Sequence, residues 1–171
     1  SSVNVKNDVK DDHGTNANHE TGVTPNPNSV VNVEKTVANT TLENTTWNVT
    51  LTVPAAGLTK ADIIERLPLK WLDNANQVDS LEKITSVTGL LDGETYSEPT
   101  KNSDGTYTIK FFKDGKTDGL KASAKARTIV VTIVTKNNPK VVESTKENPK
   151  NDYLTQHKNS VTFDTNVASP K

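Results

Sequence analysis

Between residues 30 and 165 the chain repeatedly alternates apolar and polar side chains at every second position, and this restricts it to β-structure more tightly than any other feature. Val31, Val33 and Val37 alternate with Asn32, Glu34 and Thr36; Trp47, Val49, Leu51 and Val53 alternate with Asn48, Thr50 and Thr52. Successive side chains of a strand point to opposite faces, so each run has one face to bury and one to offer to water. Tyr107, Ile109 and Phe111 repeat the pattern after the turn Ser103-Asp104-Gly105, and Val161 and Phe163 close the series. The run TIVVTIVT over 128–135 is β-branched throughout, as in a strand at the middle of a sheet. Turn signals fall between the runs at Pro54, Gly57, Asp92-Gly93, Asp114-Gly115, Asn137-Asn138-Pro139 and Asn148-Pro149. The expected fold is an all-β, Ig-like β-sandwich of Greek-key connectivity. TKADIIERL over 59–67 departs from the rule: Thr59 stands three positions before Asp62 in the manner of a capping box, so a short helix there is the alternative to a strand entering at Ile63.

The 171 residues suit one core rather than two. Residues 1–28 are poor in apolar side chains and end in Pro-Asn-Pro, which reads as a linker or N-terminal arm in which Val3, Val5 and Val9 leave room for one edge strand. The sandwich is expected over 29–166, with 167–171 leading to a next domain. Neither a signal peptide nor a sorting signal is visible, so the chain is expected to be a piece of a longer, secreted precursor.

With 20 basic and 21 acidic residues interspersed, the net charge of -1 gives no electrostatic footprint for nucleic acid or an anionic membrane. Cysteine is absent, which removes disulfides, thiolate metal sites and thiol nucleophiles. No cofactor is expected and no metal either. His13 and His19 lie in a polar segment far from His157, and Val9 stands where the calcium-loop pattern of Asp8, Asp11, Asp12 and Asn16 needs its first ligand. Trp71 reads as a core anchor.

Three polar side chains fall in phase with the apolar face of their own strands. Lys35 lies between Val33 and Val37, Glu65 between Ile63 and Leu67, and Asn159 precedes Val161 and Phe163 by two and four positions. Each is expected to point inward, where an unpartnered charge costs several kcal/mol or is neutralised by a shifted pKa. Singly, each has an ordinary account: a lysine that snorkels, a glutamate paired with Arg66 or Arg127, an asparagine at a strand start. Together they invite one joint explanation.

The runs VVNVEKTV, TWNVTLTVP, ADIIERLP and HKNSVTF, in this order, resemble the Ig-like domains of Gram-positive collagen-binding-type adhesins and pilins over about residues 30–165. The resemblance implies a spontaneous isopeptide bond between a first-strand lysine, here Lys35, and a last-strand asparagine, here Asn159. A buried acid assists, here Glu65, three residues before Pro68. This branch usually has Asp there, which leaves Asp62 as the other candidate acid. Such a bond forms once, as a maturation step, so the chain is expected not to be an enzyme. The Ig-like reading also makes the first and last core strands neighbours.

The resemblance implies a structural stalk or pilin-like domain of a cell-wall-anchored surface protein, with adjacent domains of that protein as partners and no membrane contact of its own. The alternative is a ligand-binding adhesin domain recognising a host matrix protein or glycan. A carbohydrate-active sandwich ranks last, because it calls for exposed aromatics and only 5% of residues are aromatic.

Overall fold

The computed structural model describes residues 2–11, 15–20, 26–67, 80–148 and 157–169. Two antiparallel sheets face each other as a β-sandwich. One runs in the order β2 (Thr15–Glu20), β1 (Ser2–Asp11), β11 (His157–Val167), β5 (Leu58–Arg66), β9 (Tyr107–Phe112) and β7 (Thr95–Tyr96), with β8 (Thr100–Lys101) also paired to β9. The other runs β3 (Asn32–Thr40), β4 (Asn44–Val53), β10 (Arg127–Lys136) and β6 (Ser80–Thr88).

The expected alternation is what fills the space between the sheets. Along β4, Trp47, Val49, Leu51 and Val53 are buried while the residues between them are partly exposed, and β10 contributes Ile129, Val131 and Ile133 in the same manner. Ala61, Ile63, Ile109, Phe111, Val161 and Phe163 meet them from the other sheet. Burying each large side chain of this kind contributes about 1.5–3 kcal/mol, which makes this core the main source of stability.

The segment read as a linker or arm holds β1 and β2. β1 pairs with β11 over ten residues, from Ser2 with Asn166 to Asp11 with His157, and supplies Val5 to the core. β2 covers its other side from Lys6 to Asp11, so only the first part of β1 is left at the edge of the sheet among the described residues.

The helix offered as the alternative over 59–67 is absent: β5 is a strand, held by β11 on one side and β9 on the other. Ala61, Ile63 and Glu65 face inward, so tertiary pairing overrides the capping-box signal. A helix does form where a turn was expected. In α1 (Pro139–Glu147), Pro139 takes the first helical position, where its missing N–H costs nothing, and the Asn138 carbonyl accepts from Val142 N at 3.0 Å.

β5 is entered through a close crossing. Leu58 and Leu120 exchange backbone hydrogen bonds of 2.9 Å, and a Cβ at Gly119 would stand 1.9 Å from the Leu58 carbonyl oxygen. With φ at +115°, that position demands glycine on both grounds.

A second clamp centres on buried Glu94. Its carboxylate accepts from Leu91 N and Lys121 N, both at 2.7 Å, and from Arg127 Nη2 at 2.6 Å. Glu94→Ala strands two amides and takes the carboxylate from the Arg127 guanidinium, which keeps the Gly89 and Lys121 carbonyls, a loss of about 3 kcal/mol. It is expected to lower Tm by about 6–12 °C in a calorimetric scan; an unchanged Tm would show that the clamp contributes nothing.

Candidate functional site

β3 and β4 are joined in register with Lys35 opposite Val49 and Val37 opposite Trp47, so Lys35 and Trp47 are diagonal neighbours on one inward face. Glu65 comes from the facing sheet, where it stands opposite Tyr107 of β9 and Val161 of β11. Lys35 and Glu65 are both 0% exposed, and Lys35 Nζ donates a hydrogen bond to Glu65 Oε2 across the sandwich. The same Nζ lies 4.6 Å from the centroid of the Trp47 ring. The Glu65 Oε1 atom is buried and has no hydrogen-bond partner among the described residues.

Burial dominates the electrostatics of this pair. It pushes the Lys35 amine below its ordinary value against the attraction of Glu65, and pushes the Glu65 carboxyl above its own against the attraction of Lys35. Both groups are therefore driven towards their neutral forms: an amine with a free lone pair and a carboxylic acid with a proton to give.

The ordinary account of Glu65 by an arginine does not apply. Arg66 lies 3.6 Å from Asp104, and Arg127 pairs with Glu94. Asp62, the other candidate acid, has the opposite strand parity from Glu65 and lies 3.7 Å from Lys110 on the far side of the sheet.

Asn159 belongs to β11, where its backbone pairs with Val9 of β1. Its side chain lies outside the described residues, as do Trp71 and His13. Position 159 shares the parity of Val161, Phe163 and Thr165, all buried, and precedes by two the residue opposite Glu65. In an antiparallel pair this is a diagonal relation, about 7–8 Å between backbones. The first and last core strands are neighbours by packing and not by pairing: β3 pairs with β4, β11 pairs with β1 and β5, and β3 packs on β11 from across the sandwich. The alternation of side chains assigns a residue to a face but does not say which sheet its strand joins.

Trp47 is the residue of this centre that the sequence reading missed, having taken it only as an inward-facing strand residue. The pairing of Val37 with Trp47 was the signal, and it becomes visible once β3 and β4 are aligned. Comparison with known families, with characterised proteins and with solved structures finds no match to this chain.

Proposed function

We propose that this chain is a non-enzymatic structural domain of a Gram-positive, cell-wall-anchored surface protein, stapled by a self-formed isopeptide bond between Lys35 and Asn159. The observation that carries the reading is the fully buried Lys35–Glu65 pair, in which one carboxyl oxygen has no hydrogen-bond partner among the described residues. A lysine and a glutamate placed in an apolar core for stability alone are a poor solution, since well-packed hydrophobic residues do as well or better. A reaction needs both.

In the proposed step the neutral Lys35 Nζ attacks the side-chain amide carbon of Asn159. Glu65, protonated, donates to the amide oxygen, then relays the proton lost by the amine to the departing nitrogen. One C–N bond forms, one breaks, ammonia leaves, and Glu65 ends as it began. The backbone position of Asn159 beside Glu65 supports this route, and the absence of cysteine supports the need for a staple of another chemistry. Its partners are the adjacent domains of the same protein, at the cell surface.

Glu65→Gln keeps the shape of the side chain and removes its acid. This variant is expected to fold and to keep the full mass of its sequence, while Asp62→Asn still loses one ammonia. Mass loss in Glu65→Gln would remove Glu65 from the mechanism.

A further inference from the structure

Trp47 is held more firmly than a core residue needs to be. Its indole Nε1 donates to Thr135 Oγ1 at 3.0 Å, and Thr135 Oγ1 in turn lies 3.4 Å from the Thr45 carbonyl oxygen. Thr45 Oγ1 donates to Asn137 Oδ1 at 2.9 Å, and the Asn137 amide donates to the carbonyls of Thr41 and Leu42 at 3.2 and 3.0 Å. Trp47, Thr135, Thr45 and Asn137 are all essentially sealed from solvent. On the inward face of β10, Thr135 follows Ile129, Val131 and Ile133 at the same parity, where a valine would extend the apolar row. The hydroxyl instead accepts from the indole, and the face of that indole is what the Lys35 amine meets.

We propose that Trp47 is a working part of the cross-linking centre and that Thr135 is its positioning residue. The inference rests on the isopeptide reading. An amine that attacks an amide carbon becomes positively charged at nitrogen before it gives up its proton. In a dry site carrying one carboxyl, an aromatic face beside that nitrogen stabilises the developing charge, and indole does so better than phenyl. The ring also limits the rotamers of a four-carbon side chain, keeping the nitrogen on the side of Glu65. Without the Thr135 hydroxyl the indole N–H is buried without this acceptor and the ring is free to tilt.

The test follows ammonia loss by intact mass against time in chains made by cell-free synthesis, with folding followed in parallel by circular dichroism. Thr135→Val is expected to fold and to form the bond about ten-fold more slowly, and Thr135→Ser to restore the wild-type rate. Trp47→Phe, a second route should Thr135→Val fold poorly, is expected to slow the reaction by a similar factor. Adding Thr135→Val to Trp47→Phe should slow it no further, because the phenyl ring has no N–H to hold. A Lys35→Ala background reports any purely structural cost of Thr135→Val on Tm. Bond formation at the wild-type rate in folded Thr135→Val would overturn the inference while leaving the cross-link standing. A wild-type chain that never loses ammonia would overturn the isopeptide reading itself and this inference with it.

Discussion

Pulled by its two ends, the wild-type protein is expected to lengthen only by the segments outside residues 35–159, while Lys35→Ala releases roughly 120 further residues, or roughly 400 Å of chain at full extension. The topology says how this happens. Ser2 pairs with Asn166, so β1 and β11 bring the two chain ends to the same end of the sheet. Tension applied there peels the ten pairs of β1 from β11 one after another instead of shearing them together. The N-terminal strands are therefore expected to leave early at low force, and the chain then becomes taut at Lys35. From that point force passes through the proposed bond from one sheet to the other, and the core between the two residues carries none of it. Hydrogen-bonded strands alone would yield at a rate set by the unfolding barrier. Single-molecule extension reads the difference directly. Equal contour lengths for the two chains would refute the mechanical role. They would favour a ligand-binding adhesin, with the cavity of about 620 Å³ between α1, Asn44 and Lys136 as the first surface to probe.

The second large effect is on thermal stability, and it separates the two contributions of Lys35. Asn159→Ala removes the proposed bond but keeps the buried pair. Closing a loop of roughly 120 residues stabilises by about 4–5 kcal/mol on the chain-entropy account, so Tm is expected to fall by about 10–20 °C. Lys35→Ala loses the bond and also leaves Glu65 buried without its partner, a further cost of about 3–5 kcal/mol that protonation of the carboxyl partly offsets. Lys35→Ala is therefore expected to melt below Asn159→Ala, and Lys35→Ala with Glu65→Leu to recover part of the gap. Scanning calorimetry of the four chains at one pH decides it. If Asn159→Ala melts with the wild type, no covalent bond joins that residue to the rest.

Much of this architecture is legible in the sequence because a strand buried on one face writes its own pattern. The alternation in β4 predicts a half-buried strand and the β-branched run of β10 one at the middle of a sheet, and these two are paired from Arg127 with Val53 to Lys136 with Asn44. The same periodicity brings Lys35 and Glu65 into the core, where they meet. Other features depend on partners far away in the chain. The valines of β1 are too sparse to announce a strand, yet β11 supplies a template along which ten residues pair. The run 59–67 carries local helix signals that lose to two flanking strands, whereas Asn138-Pro139, a helix start as well as a turn signal, was free to open α1. The role of Trp47 was hidden because alternation says that a side chain points inward without naming what it meets.

The central claim is chemical, and the intact mass of the folded wild-type chain tests it most directly. The account predicts a mass one ammonia below that of the sequence, with the full mass restored in Lys35→Ala and in Asn159→Ala and a tandem fragment joining the peptides that carry the two residues. A fully folded wild-type chain whose mass equals that of its sequence would contradict it.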